Sequence, residues 1–298
     1  MDQTLEVFVT VVEKGNFTRA AEELLMTQPA VSQYIQSLER AVGTKLLERT
    51  NKYVRLNKAG EIVYHHAKEI LGMYTRMHSL VDDLMHRTSG SLSIASSYTF
   101  GEYMLPHLIA YMREHYPLIR PAITIGNTKE VAEMILKHEA DIGIVEGDYH
   151  DDKLQIEAFA EDEMLVMVPR DGRYDHLQEM PLAELADETW IVREAGSGTR
   201  EATERMFASC AVRPRHIVEF GSTQLIKESV EAGLGVTLLS RWVVRKEVQL
   251  GTLHMIIPND KPITRQFSWI TQKTPYHTKV VEVFLDLLHH KRGFPRIP

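Results

Sequence analysis

The sequence predicts an α+β winged helix-turn-helix domain, joined by one long linker helix to an α/β domain of two lobes. Three observations predict it. Phe17 to Arg40 reads as two short helices around a tight turn, and apolar residues from Asn57 to about Leu84 recur at alternating steps of three and four. Beyond Gly90, short apolar runs alternate with helical stretches, the rhythm of βαβ units. The expected divisions are 1–58 for the winged domain, 59–89 for the linker helix and hinge, and 90–298 for the two-lobed domain. Within the last, lobe I covers about 90–162 and 266–298, and lobe II about 163–265.

Composition sets limits. A chain of 298 residues, 44% hydrophobic and 25% charged, can build two or three cores. Its one cysteine, Cys210, excludes an intrachain disulfide and a thiolate metal cluster. The first residues, MDQTLEVFVTVVEKG, are periodic rather than continuously apolar, unlike a secretory signal, and no apolar run reaches membrane-spanning length. A cytoplasmic protein with no membrane partner is expected. The net charge of −7 argues against general nucleic-acid affinity, yet Met26 to Gly60 holds six basic residues against two acidic ones. A basic segment in an acidic chain suits a protein that touches phosphates with one domain only.

In chain order, Leu5, Phe8, Val9 and Val12 mark a first amphipathic helix ending at Gly15. Thr18 can cap the second helix, with Ala20, Ala21 and Leu24 inward, before a turn through Leu25 and Met26. Thr27 caps the third, and Pro29 sits in its first turn, where a missing N–H costs nothing. Val31, Ile35, Leu38 and Val42 then face inward; Gln28, Ser32, Gln33, Gln36 and Arg40 face out with donors and acceptors for base edges and phosphates. Any capped surface helix could carry such residues, so the motif alone leaves DNA binding open.

Gly43 stops the helix. Leu46 and Leu47 are anchors, Arg49 to Lys52 a turn, and Tyr53, Val54 and Leu56 a strand, which makes a two-stranded wing. Arg49, Lys52 and Arg55 would lie along a DNA backbone and set affinity rather than sequence choice. Asn57 caps a long helix whose seam is Val63, His66, Ile70, Met73, Met77, Leu80 and Leu84. A seam of that length predicts a homodimer paired along it; a helix lying on its own domain is the alternative. The HRTSGS stretch, 86–91, reads as a linker.

Residues 3 to 60 resemble the N-terminal domain of the LysR-type transcriptional regulators. The resemblance rests on NFTRAAEEL, TQPAVSQYIQSLERAVG, LLER and LNKAG, in that order over more than forty residues. Departures are Thr27 for the usual Ser, Leu47 for the usual Phe and Asn57 for the usual Thr, and each keeps a cap or an apolar anchor. The resemblance implies that Gln28, Pro29, Ser32 and Gln33 enter the major groove of promoter double-stranded DNA, with Arg49 on the backbone. It also implies a homotetramer, and RNA polymerase as a partner if the protein activates.

The rest fits the same family, whose effector domains have two lobes and two crossovers, similar to periplasmic binding proteins. SLSIAS, PAITIG and DIGIV are strands alternating with helices from Tyr103 to His115 and Val131 to His138, in an open, mostly parallel sheet. LQIEAFA and EMLVMVP follow as two strands, with Glu161 to Glu163 as the crossing point. TWIVRE, a helix from Thr199, RHIVEF, a helix from Ser222, and VTLLS build the second lobe. QFSWITQ returns, and a helix from Tyr276 to about His290 closes the chain.

Ligands in this architecture lie where strand ends meet helix starts, because the first N–H groups of a helix are unsatisfied and carry partial positive charge. Four stretches qualify: Ser96, Ser97, Tyr98 and Thr99; Asn127 and Thr128; EAGSGTR from Glu194 to Arg200, with Gly196, Ser197, Gly198, Thr199 and Arg200; and Gly221, Ser222 and Thr223. Their donors favour a small anionic effector. Arg200 would also suit a surface ion pair, and Glu146, after the third strand, cuts against an anion.

No catalytic constellation is present. GSG is not a nucleophile elbow, and no phosphate-binding loop or H-E-x-x-H motif occurs. Pairs such as His65 with His66 or His289 with His290 do not form a metal-ligand spacing on one helix face, so neither metal nor cofactor is expected. Two other classes are weighed: a cytoplasmic solute-binding protein, disfavoured by the helix-turn-helix, and a two-lobed transferase or deaminase, which needs a catalytic group the sequence does not offer.

Overall fold

The computed structural model describes residues 2–49, 54–84, 89–174, 176, 179–210, 212–258, 262–274 and 276–295. The chain divides into two compact units, Met1–His86 with Lys137–Glu139, and Arg87–Leu136 with Ala140–Pro298.

The first unit begins with α1 (Asp2–Lys14), α2 (Phe17–Glu23) and α3 (Gln28–Val42). Asn16, not Thr18, caps α2: its side-chain oxygen accepts from the Thr18 and Arg19 N–H groups at 2.8 and 3.1 Å. Leu25, at φ 52°, makes the turn to α3, and Thr27 Oγ1 accepts from the Ala30 N–H at 3.4 Å. Val31, Ile35 and Leu38 are buried with Phe8, Val11, Ala20 and Leu46. Val42 is 43% exposed, against expectation, and Glu39 is buried instead, taking the Leu46 N–H at 3.0 Å and Lys45 Nζ at 2.9 Å. A carboxylate on the inner face thus ties α3 to the wing.

The wing is β1 (Leu47–Arg49) antiparallel to β2 (Val54–Leu56). Arg49, expected to open the turn, ends β1, while the expected turn residues Thr50 to Lys52, Tyr53 of the expected strand and the Arg49 side chain lie outside the described residues. Asn57 accepts from the Gly60 N–H and donates to the Lys45 carbonyl, both at 2.8 Å, where α4 (Lys58–Leu84) starts. Gly60 is needed there, because a Cβ would run into the Leu46 carbonyl oxygen. Ala67 is buried, and Val63, Tyr64, Ile70 and Leu71 pack on the domain core. The early part of the seam therefore lies on its own domain, while Met73 and Met77 are half exposed.

The second unit has lobe I elements β3 (Gly90–Ser97), α5 (Tyr98–Tyr103), α6 (Leu105–His115), β4 (Ile119–Gly126), α7 (Thr128–Leu136) and β5 (Ile142–Glu146). Gly90 and Ser91, expected in a linker, already belong to β3, and the helix expected from Tyr103 to His115 is α6, which starts at Leu105 after the short α5. The expected pair LQIEAFA and EMLVMVP is one 16-residue strand, β6 (Leu154–Pro169), which runs through the crossing point unbroken. Lobe II then contains β7 (Glu179–Met180), β8 (Thr189–Arg193), α8 (Gly198–Ser209), β9 (His216–Phe220), α9 (Thr223–Glu231), β10 (Thr237–Ser240), α10 (Arg241–Leu250) and β11 (Leu253–Pro258). The return is β12 (Ile263–Gln272), then α11 (Lys279–His289).

β3 is parallel to β4 and β5, and β8 to β9, but β12 is antiparallel to both β5 and β6. The sheet is therefore mixed rather than mostly parallel, because the strand returning from the second lobe enters lobe I from the opposite end. Its partner β6 is shared: β12 pairs along Leu154 to Met164, and β10 and β11 pair along Met164 to Pro169. Leu92, Ile94, Phe100, Phe267 and Phe284 pack on one face of lobe I, and Val131, Ile135, Val145 and Ile270 on the other.

Substituting Gly60→Ala should destabilise the first unit by about 2 kcal/mol, the usual scale for forcing an extra carbon into a packed position. Differential scanning calorimetry should show its transition lowered while that of the second unit is unmoved; equal shifts of both would contradict a local clash.

Candidate functional site

β12 and β6 place Arg265 directly opposite Asp162. Both side chains are fully buried. Arg265 Nε donates to Asp162 Oδ2 at 2.8 Å, and Nη1 lies 2.6 Å from Glu146 Oε2. The same guanidinium donates to Thr199 Oγ1 and Thr99 Oγ1, each at 2.9 Å. One cation therefore joins the end of β5, the start of α5 in lobe I, the start of α8 in lobe II and the strand between the lobes. Asp162 keeps its other oxygen for Ser240 Oγ at 2.6 Å, which caps α10.

Glu146 is buried at 3% exposure, and its second oxygen fills the N-terminus of α5. Oε1 accepts from Ser97 Oγ at 2.7 Å, from the Thr99 N–H at 2.9 Å and from the Phe100 N–H at 3.3 Å. These are donors the sequence offered to an anion; the protein's own carboxylate holds them here. Its backbone is held as well, since Thr128 Oγ1 donates to the Glu146 carbonyl at 3.1 Å. Gly198 touches this strand end so closely that a Cβ would run into the Glu146 carbonyl oxygen, so the first turn of α8 closes directly onto β5.

The other expected residues fall into distinct surroundings. Thr128, Gly196, Ser197 and Arg200 line an open cavity of about 360 Å³ together with Lys129 and Glu201. Ser197 caps α8 through the Thr199 N–H at 3.2 Å. Arg200 is held by Glu204, Glu219 and the Arg193 carbonyl at 2.6, 2.9 and 3.0 Å, the ion-pair role its sequence position also allowed. Ser96 donates to the Ser97 carbonyl and packs against Gly101, away from the network. Ser222 caps α9, and Thr223 accepts from Arg193 Nη1 at 3.0 Å.

Arg193 is a second buried cation, 2% exposed, that spans the lobes. It makes two bonds to Glu194, at 2.7 and 2.8 Å, and lies 4.5 Å from the centre of the Tyr98 ring. Burial pushes the Glu194 carboxyl up, but hydrogen bonds from Arg193 outweigh this and hold it below the usual range. Asn127 joins the group by donating to Glu194 at 3.3 Å.

Arg265, Asp162 and Arg193 lie outside the stretches expected from the sequence, whereas Glu194 opens one of them. A signal existed for Arg265: it shares the inward parity of Phe267 and Trp269 on one strand, where a cation demands a partner. A strand begun at Gln266 leaves it out.

On the first unit, Gln28, Pro29, Gln33, Gln36 and Arg40 are exposed along α3, and Ser32 is partly so. Gln28 Nε2 donates to Ser32 Oγ at 3.0 Å, which fixes both on one outward face. Arg55 is exposed on β2.

Residues 3–61 match the family described as bacterial regulatory helix-turn-helix protein, lysR family, and residues 86–292 match the LysR substrate binding domain. Among curated relatives, the HTH-type transcriptional regulator CysL of Bacillus subtilis is 37% identical over 284 residues, 95% of each chain. The HTH-type transcriptional activator CmpR of Synechocystis is 31% identical over 283 residues, 95% of this chain and 93% of its own. Full-length CbnR, solved with its target DNA, has the same fold at 22% identity, with a TM-score of 0.73 over 98% of this chain and 99% of that one. The regulatory domain of Synechocystis CcmR, solved in complex with 2-PG, is 26% identical with a TM-score of 0.63, covering 68% of this chain and 97% of its own.

Removing Arg265 would strand two buried carboxylates. Arg265→Met should cost about 3–5 kcal/mol, the scale for breaking a buried ion pair from one side. Urea unfolding followed by tryptophan fluorescence measures it; a loss below about 1 kcal/mol would mean that the carboxylates reach water readily.

Proposed function

The chain belongs to the LysR family of transcriptional regulators, and we propose that it answers to a small anion that takes the place of the Glu146 carboxylate. The observation carrying this is the position of Glu146, a buried anion bound by a helix N-terminus, a serine hydroxyl and a guanidinium. Thr99 and Thr199 each accept from Arg265 and keep an O–H to give. Groups that bind one carboxylate suit another oxyanion of similar size. Sulfite, sulfate, O-acetylserine and sugar phosphates are the chemistry to try. The solved CcmR domain with 2-PG supports a small-molecule occupant in this type of domain.

On the DNA side, α3 enters the major groove of promoter DNA. Gln28, Pro29, Ser32, Gln33 and Gln36 meet bases there, Thr27 sets the start of the helix, and Arg49, Lys52 and Arg55 meet phosphates. Two chains pair through α4, whose Met73 and Met77 are half exposed, and pairs assemble into a homotetramer. RNA polymerase is the further partner if the outcome is activation. The protein works in the cytoplasm, and no helix among the described residues is long and apolar enough to cross a membrane.

A thermal-shift titration of the full chain against those anions tests the effector site, because a ligand bound only by the folded state raises the melting temperature. Thr199→Val should abolish the shift, whereas Glu146→Gln, which removes the charged competitor, should strengthen anion binding about tenfold, 1.4 kcal/mol. Weaker binding by Glu146→Gln would make Glu146 a ligand contact rather than an occupant.

Fluorescence anisotropy on promoter and random duplexes tests the other site. Arg55→Ala should weaken both and reduce the salt slope by about one. Gln33→Ala should cost about 1–3 kcal/mol on the promoter alone; equal losses on both duplexes would remove it from base readout.

A further inference from the structure

The sequence holds His65 and His66 as a pair without metal-ligand spacing; the fold adds a third group. Glu69 is four residues from His65 and three from His66, so its carboxylate stands one turn along α4 beside both rings. Adjacent helix positions diverge, yet both imidazoles turn toward this one carboxylate. His65 Nε2 lies 3.4 Å from Glu69 Oε1, and His66 Nδ1 lies 2.9 Å from Glu69 Oε2. The rings are edge to face at 5.3 Å between centres. One ligand atom from each residue lies within 4.8 Å of the other two.

We propose that His65, His66 and Glu69 form a binding site for a divalent transition metal of the zinc class. Bonds of about 2.0–2.2 Å from zinc to imidazole nitrogen and carboxylate oxygen put neighbouring ligands of a tetrahedral ion about 3.3 Å apart. The two nitrogen–oxygen separations, each to a different oxygen of Glu69, stand near that, and side-chain rotation would have to draw one ligand atom from each residue, now within 4.8 Å of one another, onto a common ion. Two imidazoles and a carboxylate suit zinc, nickel or copper, whereas magnesium and calcium prefer all-oxygen shells. The side chains are 47%, 63% and 27% exposed, so an ion can reach them and complete its shell with water. His66 shares its helix stripe with Ile70, Met73 and Met77. A bound ion would therefore sit on the face proposed for pairing, whether or not the anion reading of the other domain holds.

Zinc titration of the full chain against a chromophoric chelator, with cobalt substitution for the spectrum, tests the site. One ion per chain should bind at micromolar or lower concentration, and the cobalt bands should be those of nitrogen and oxygen ligands. His65→Ala and His66→Ala should each weaken binding at least tenfold, with Glu69→Gln also weaker and His78→Ala unchanged. The three histidines are exposed and Glu69 is half-buried at the helix surface, so circular dichroism should show all four variants folded. Binding untouched by His66→Ala, a cobalt–thiolate band from Cys210, or no binding below millimolar zinc would each overturn the proposal.

Discussion

A guanidinium with no water around it must be paid for by its neighbours, and the second unit is arranged about that demand. The Arg265 side chain has no exposed surface, and its stray charge would cost several kcal/mol after relaxation. Two carboxylates pair with it and two threonine hydroxyls accept further hydrogen bonds from it. Those partners come from β5, α5, β6 and α8, so their positions are mutually fixed. Moving one lobe away from the other would remove Thr199 from the set while leaving Glu146 and Asp162 in place. The network thus favours one closed arrangement without forbidding another.

An anion bound in such a place, as proposed, would substitute rather than dock. The donors at the start of α5 hold Glu146 now, so it would gain only the difference between its own bonds and those it displaces. Any shift of conformation is limited by the same difference in affinity between the two arrangements. Gly147, at φ 88°, follows Glu146 and gives the backbone a turn that other residues reach only under strain. Glu39 uses the same chemistry in the first unit, where a buried carboxylate serves a backbone N–H and a lysine between α3 and the wing.

Much of the local structure was legible in the residues. The caps at Thr27 and Asn57, the turn at Leu25 and the inward face of Val31, Ile35 and Leu38 follow from short-range rules and appear as those rules require. Where such rules failed, a longer-range interaction won. Val42 gave its inner place to Glu39 because the Leu46 N–H needed an acceptor. EDE at residues 161–163 looked like a break between strands, yet Asp162 sits inside one strand because Arg265 faces it across the ladder.

By itself, the sequence determined the kinds of element, their order, the polar outer face of α3 and the helix starts rich in donors, because all of these depend on neighbours within a turn or two. The tertiary structure alone decided which donors are free. Arg265 is 119 residues from Glu146 and 103 from Asp162 in the chain, and no local pattern encodes a pairing over such a distance. Once β12 returns between β5 and β6, burial leaves those charges no solvent to choose, and the site becomes theirs.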